Sequence, residues 1–193
     1  MSVNLSKGQK ISLVKEAGSQ LTKVVMGLGW DARKKGGFLG IGGSKQEIDL
    51  DASCVLWDEQ GQPVDVVYYA QLQSQDGSLQ HTGDNRTGDG DGDDEQIIVD
   101  LNSVPPQIKT LVFVVNSFTG VTFDDIENAS CRIFDQVTGK EIAKYDLSCN
   151  GQHTAMVMAK VYRHNGEWKM HAIGEPASGK TFQDLLPAIV PHL

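Results

Sequence analysis

The chain has 193 residues and a formal net charge of −8, from 17 Lys and Arg against 25 Asp and Glu. This acidic balance argues against a general nucleic-acid binder, which would present a basic face to the phosphate backbone. The length and the 39% hydrophobic content predict a globular protein with a sizeable core, and a single domain over residues 1–193 is the default.

The three cysteines, Cys54, Cys131 and Cys149, are an odd number without Cys-x-x-Cys spacing, which argues against a zinc site or a disulfide framework. The first residues contain no apolar signal core, and no stretch approaches the roughly 18 apolar residues of a membrane span. We therefore expect a cytoplasmic protein with reduced thiols. The sequence is also compatible with peripheral contact of the protein at the inner membrane face.

Hydrophobic residues recur with a period of two along most of the chain, which is typical of strands. The clearest alternation spans residues 47–57, where Leu50 and Leu56 share one face and Asp49 and Asp51 share the other. The predicted strands are residues 11–13, 24–28, 47–57, 64–72, 96–101, 111–116, 131–134, 141–147, 155–163 and 167–173, and the predicted short helices are 124–128 and 182–189. Many short strands separated by turn signals predict an all-β fold, an antiparallel β-sandwich.

The most informative segment runs from Asp84 to Glu95 and reads Asp-Asn-Arg-Thr-Gly-Asp-Gly-Asp-Gly-Asp-Asp-Glu. Carboxylates this dense repel one another unless a cation lies among them. Ca²⁺ takes about six to eight oxygen ligands in a flexible geometry, and the interleaved glycines let backbone and side-chain oxygens turn toward one centre. A solvated acidic loop is the alternative, but the glycines and Asn85 favour a calcium-binding loop.

Other carboxylates extend this set. Asp49 and Asp51 share a strand face, and Asp31 follows an apolar run; an exposed polar face is the alternative for the Asp49–Asp51 pair alone. One Ca²⁺ needs only about three or four carboxylates, so the combined set predicts two ions per chain. The candidate metal ligands are Asp31, Asp49, Asp51, Asp84, Asn85, Thr87, Asp89, Asp91, Asp93, Asp94 and Glu95.

An EF-hand does not explain the acidic segment. Asp89, Asp91 and Asp93 match its first, third and fifth positions, but the sixth position carries Asp94 where the motif requires Gly. The following residues also predict a strand where an EF-hand has a helix. We therefore expect calcium to be bound by loops at one end of the sandwich.

Five motifs carry a resemblance to a known family. They are Ser2-Val-Asn-Leu-Ser-Lys-Gly8, Gly27-Leu-Gly-Trp-Asp31, Asp49-Leu-Asp-Ala-Ser53, His81-Thr-Gly-Asp-Asn-Arg-Thr-Gly88 with Asp91-Gly-Asp-Asp-Glu95, and Tyr162-Arg-His-Asn-Gly-Glu-Trp168. The sequence resembles the tellurite-resistance TerD family of bacterial stress proteins over nearly its whole length. The Gly-rich insert at residues 34–44 is similar to that of TerZ-type members.

The resemblance implies a β-sandwich with two calcium ions in an acidic groove formed by Asp31, Asp49, Asp51 and residues 84–95. It also implies a cytoplasmic, non-enzymatic role in resistance to tellurite and other stresses. The expected partners are other proteins of the tellurite-resistance operon, including a membrane protein.

Two features suggest other functions. Residues 174–181 fit the phosphate-binding pattern G-x-x-x-x-G-K-[ST], with Lys180 as the candidate phosphate contact. The antiparallel pattern upstream does not suit a nucleotidase, so we expect a loop in which Thr181 caps the last helix, and no catalytic residues. A calcium-dependent phospholipid adaptor is the other alternative. It is motivated by apolar residues Phe38, Leu39 and Ile41 flanked by Lys34, Lys35 and Lys45.

Overall fold

The computed structural model describes residues 2–18, 21–32, 49–83, 92–147 and 151–193. The strands are β1 Val3–Leu5, β2 Lys10–Ser12, β3 Lys23–Ala32, β4 Leu50–Asp58, β5 Pro63–Val67, β6 Leu79–His81, β7 Glu95–Asp100, β8 Ile108–Ser117, β9 Ile126–Asp135, β10 Glu141–Asp146, β11 Ala155–His164 and β12 Glu167–Ala177. The helices are α1 Leu13–Ala17 and α2 Phe182–Ile189, with 3₁₀ helices at Phe123–Asp125 and Val190–His192. Across these ranges, no helix has both the length and the apolar character needed to cross a bilayer.

The strands form two six-stranded sheets. The first sheet has the order β1-β10-β9-β3-β7-β6, and the second has the order β2-β12-β11-β8-β4-β5. Neighbouring strands are antiparallel except β1 and β10, which run parallel. The predicted all-β antiparallel sandwich is therefore confirmed.

The main core lies between the two sheets. The alternation predicted for β4 is confirmed, since Leu50 and Leu56 are 1% and 0% exposed and belong to this core. Met26 and Ile133 of the first sheet belong to the same core cluster as Leu111 of the second. Full burial of an aliphatic side chain contributes about 1.5–3 kcal/mol to folding, so this layer accounts for much of the stability.

A second, smaller core lies on the outer face of the second sheet, where α2 covers β4 and β8. Val55 and Trp57 are 1% and 2% exposed, and they cluster with Leu185 and Ile189 of α2. Asp51 lies on this same covered face and is 5% exposed, which contradicts the alternative of an exposed polar face. The helix α2 begins and ends where the sequence predicts.

Several local predictions differ from the structure. The strand predicted at residues 64–72 ends at Val67, and the sequence did not predict β1 or β6. The helix predicted at residues 124–128 is wrong, because only a 3₁₀ turn precedes β9, which starts at Ile126 and pairs it with Ala32 of β3. The strand predicted at residues 11–13 stops at Ser12, whose side chain accepts a hydrogen bond from the N–H of Lys15 at 3.4 Å and starts α1. A single helical turn carries too little periodicity to be recognised in the sequence.

The packing of α2 generates a prediction. Leu185→Ala should lower the free energy of unfolding by about 2–5 kcal/mol, because Leu185 is 0% exposed and its removal leaves a cavity above the sheet. Val190→Ala is the matched control. Val190 is 55% exposed and its change should stay within about 0.5 kcal/mol in urea unfolding. Equal effects of the two variants would contradict this account of α2.

Candidate metal centre

Glu95 joins the two sheets at the end where the acidic residues gather. It is 1% exposed, and its Oε2 accepts a 2.7 Å hydrogen bond from the backbone N–H of Ala52 in the opposite sheet. The same oxygen lies 3.3 Å from Nε2 of His81 on β6. His81 Nδ1 accepts a 3.0 Å hydrogen bond from the N–H of Gly83, which assigns the imidazole proton to Nε2, facing Glu95. These contacts fix the start of β7 relative to β4 and β6.

A cavity of about 260 Å³ opens beside the end of β3. Two predicted ligands, Asp31 and Asp94, line it together with Gly92. Asp94 Oδ2 accepts a 2.8 Å hydrogen bond from the N–H of Trp30, and Asp31 Oδ2 accepts one of 2.8 Å from the side-chain amide of Asn128. The structure therefore brings together one carboxylate from a strand end and one from the acidic segment.

A close backbone approach holds these two parts of the chain together. A Cβ atom on Gly29 would lie 2.9 Å from the carbonyl oxygen of Gly92, so a larger residue does not fit without a shift. The N–H of Asp94 also donates a 2.7 Å hydrogen bond to the carbonyl of Leu28. The glycine of the Gly-Trp-Asp motif thus lets the end of the acidic segment lie directly against β3.

The electrostatics of this cavity favour a cation. Burial raises the pKa of Asp94 above its ordinary value, and the nearby carboxylates of Asp31, Asp93 and Glu95 raise it further. The hydrogen bond from Trp30 acts in the opposite direction. The charged form of Asp94 is therefore held at a free-energy cost that a neighbouring cation would relieve.

Asp51 lies at a second, smaller cavity of about 120 Å³, which Tyr68 and Phe182 also line. The side-chain amide of Asn116, directly opposite Asp51 on β8, donates to Asp51 Oδ2 at 3.3 Å and to the carbonyl of Lys180 at 2.7 Å. Sequence reasoning missed Asn116, although its position near the end of a strand that can pair with β4 was the available signal. This contact ties α2 to the acidic end.

Asp93 has a different environment from the other candidate ligands. Its two carboxylate oxygens accept hydrogen bonds of 2.7 and 3.1 Å from Arg132, and Oδ2 also accepts one of 3.0 Å from the side chain of Gln96. The carboxylate lies over Gly27, where any Cβ would overlap it. Its role as a metal ligand stays a prediction, and such a role would require Arg132 to move away.

Several predicted ligands lie outside the described residues: Asp84, Asn85, Thr87, Asp89 and Asp91. Residues 34–45, which carry the basic and apolar side chains of the phospholipid alternative, and Cys149 lie outside them as well. Asp49 precedes β4 and is half-buried. In the part of the chain that the structure describes, no three His, Cys, Asp or Glu side chains are grouped so that they could hold a metal ion. The complete calcium set therefore stays a prediction.

The segment that fits the phosphate-binding pattern is a strand end followed by a helix cap. Gly174 belongs to β12, which lies between two antiparallel neighbours. The backbone N–H groups of Lys180 and Thr181 donate to Asp184 Oδ2 at 2.9 and 3.1 Å, and Thr181 forms a capping box with Asp184. The predicted cap is confirmed. A carboxylate of the chain itself occupies the amides that a phosphate would need.

The chain matches a known protein family over nearly its whole length. The model of the TerD domain matches residues 1–188. The chain belongs to the TerD family. It is 47% identical over 189 residues to the tellurium resistance protein TerZ of Serratia marcescens, covering 97% of each chain, which supports a TerZ-type member. It is 44% identical over 202 residues to the stress response protein SCP2 of Bacillus subtilis, covering 98% and 100% of the two chains.

The fold agrees with that of a solved family structure. A homologue of the telluride resistance protein TerD from Streptomyces coelicolor A3(2) superposes with a TM-score of 0.70 at 21% identity. The match covers 86% of this chain and 96% of that structure. At this identity the similarity supports the sandwich fold alone.

The helix cap gives a test of the phosphate-binding alternative. Lys180→Ala should leave the melting temperature at the wild-type value and ATP turnover at the buffer background. The reason is that Lys180 contributes backbone groups to the cap. Asp184→Ala is the contrasting variant, and it should lower the melting temperature by removing the carboxylate that caps α2. ATP hydrolysis by the wild type that disappears in Lys180→Ala would contradict the non-enzymatic interpretation.

Proposed function

We propose that the acidic end of the sandwich binds two calcium ions and that the protein is a non-catalytic component of tellurite and general stress resistance. The observation that carries this proposal is the shared cavity of Asp31 and Asp94 beside Gly92. In the sequence, Gly92 directly follows residues 84–91, which contain three further carboxylates. Hard divalent cations are the ions that such a set of oxygen ligands binds best.

The chemistry of the donors fits calcium better than a transition metal. The candidate ligands are carboxylate, amide and hydroxyl oxygens, with no cysteine and no histidine among them. Burial raises the pKa of Asp94 and the nearby carboxylates raise it further, so a divalent ion beside it would stabilise its charged form. Magnesium should bind more weakly, because it demands octahedral geometry and retains its water.

The described contacts suggest a division of roles. Asp31, Asp49, Asp51 and Asp94 would serve as ligands together with the oxygens of residues 84–91. Glu95 and Asp93 would instead hold the framework, since Glu95 bonds to the opposite sheet and Asp93 to Arg132. Calcium would then order the acidic segment on a framework that the protein supplies without it.

The biological part of the proposal rests on the family. The relatives carry names that describe tellurium resistance and stress response. We place the protein in the cytoplasm, with partners among other tellurite-resistance proteins and a membrane protein. Calcium would present an ordered surface to these partners. A pull-down in calcium and in chelator, using the full chain as bait, tests whether any partner is calcium-dependent.

Removal of calcium should lower stability. A ligand that binds only the native state stabilises it by about 2.7 kcal/mol at a concentration one hundred times its dissociation constant. We therefore expect a higher melting temperature in calcium than in EGTA, and a calorimetric titration that saturates near two ions per chain. Identical melting curves in calcium and EGTA would exclude the proposal.

The division of roles can be tested with two neighbouring carboxylates. Asp94→Asn should weaken calcium binding by about tenfold or more, because it removes a ligand charge while keeping the side-chain shape. Asp93→Asn should mainly destabilise the fold, by about 1–2 kcal/mol, because it removes the bidentate charged partner of the partly exposed Arg132 and leaves it the longer 3.5 Å contact with Glu141.

Asp146→Asn is the charge-matched control, because the side chain of Asp146 is 73% exposed and, among the described residues, its ion pair is with Lys144 at 3.5 Å. It should change neither calcium affinity nor stability. Loss of calcium binding in Asp93→Asn with normal binding in Asp94→Asn would reverse the assigned roles.

A further inference from the structure

The outer face of the second sheet carries a row of basic residues beyond the region that α2 covers. Register pairs place Lys10 of β2 opposite His171 of β12, and His171 opposite Lys160 of β11. The next residue across the sheet is Val112, which packs under α2, so the row lies on the outer face. Directly opposite side chains on one face of a sheet have Cβ atoms about 4.5–5.5 Å apart.

The described part of the chain supplies these basic groups with no acidic partner. Within the described ranges, no carboxylate forms an ion pair with Lys10, Lys160 or His171. Lys160 Nζ donates instead to the backbone carbonyl of His192 and lies 4.9 Å from the ring centre of Tyr162. Lys10 and Lys160 therefore flank His171 on one face of the sheet, and none of the described carboxylates offsets their charge through an ion pair.

His171 gives the second, independent observation. Its Nδ1 is buried and, among the residues that the structure describes, has no hydrogen-bond partner. Burial lowers the pKa of His171, and Lys10, Lys160 and His192 lower it further. These groups come from β2, from β11 and from the C-terminal 3₁₀ helix. No carboxylate is among the groups that shift this pKa, so the imidazole faces positive charge from each of these elements.

We propose that Lys10, Lys160 and His171 form a binding site for a phosphate group. The two ammonium groups would supply charge and hydrogen-bond donors, and His171 would donate from a protonated ring once the anion is present. Free phosphate and the headgroup phosphate of an anionic lipid share this chemistry. On β11, Lys160 lies five residues from Ala155. Ala155 pairs with Asn116, which lies near the acidic end. That separation is about 15 Å, so the site is distinct from the proposed calcium centre.

The proposal predicts coupling between phosphate and protons. An anion beside His171 favours the protonated ring, so phosphate should raise the pKa of His171 and bind more tightly as the pH falls toward and below 6.5. Proton NMR of the histidine rings, in EGTA and with inorganic phosphate as the probe, measures this directly. His171→Gln assigns the signal. We expect the pKa to rise by about 0.5 or more in saturating phosphate.

Matched variants separate a built site from general attraction. Lys10→Gln removes an exposed ammonium from the row and should weaken phosphate binding by about tenfold. Lys144→Gln removes the same charge from the first sheet, where Lys144 pairs with Asp146 at 3.5 Å, and should leave binding unchanged. Equal weakening by both variants, or no change at the His171 ring in about 20 mM phosphate, would overturn the proposal.

The source of the phosphate is decided by sedimentation with vesicles in EGTA. Binding to phosphatidic acid vesicles but not to phosphatidylcholine vesicles, with loss of binding in Lys10→Gln, supports the site and assigns it to a lipid headgroup. A phosphate effect at His171 without vesicle binding supports the site and assigns it to free phosphate. Vesicle binding that Lys10→Gln leaves intact while the His171 ring ignores phosphate overturns the site.

Discussion

The acidic end of this protein depends on one buried carboxylate. Glu95 begins β7 in the first sheet and accepts a hydrogen bond from Ala52 in the second. This bond holds the start of β7, which follows Asp94, against the start of β4, which follows Asp49. A buried carboxylate without a hydrogen-bond partner would be costly, and the N–H of Ala52 supplies one such partner, with Nε2 of His81 3.3 Å away. The two acidic strand ends are thereby part of one framework.

Charge around this framework is neutralised unevenly. Asp93 has a bidentate partner in Arg132, whereas Asp94, the next residue, has a pKa raised by burial and by its acidic neighbours. Two adjacent aspartates with the same sequence context therefore have opposite electrostatic roles. Their contacts explain the difference, because Asp93 lies against Arg132 and Gln96, whereas Asp94 lies at the cavity that Asp31 also lines. Binding of a cation would act on one of them and leave the other in its ion pair.

Much of the fold follows from the sequence, because it rests on local patterns. The alternation of β4 and the bounds of α2 were readable from residues 47–57 and 182–189 alone. The position of α1 was not, since one turn starting at Leu13 has no detectable period. In the candidate site, the acidic residues were recognisable by their density. Asn116 and Arg132 were not, because their roles depend on pairing between distant strands, which composition and spacing do not specify.

The contacts of Asn116 set an order in which the protein can be completed during synthesis. Its amide bonds to Asp51, from the first third of the chain, and to the carbonyl of Lys180, close to the last helix. The cavity at Asp51 therefore closes only after α2 has left the ribosome. Until then the nascent chain carries Asp51 without the helix whose first residue, Phe182, lines the same cavity, and the outer face of β4 at Val55 and Trp57 is uncovered. Late closure of this kind makes the exposed strand a site for chaperone contact on the way to the native state.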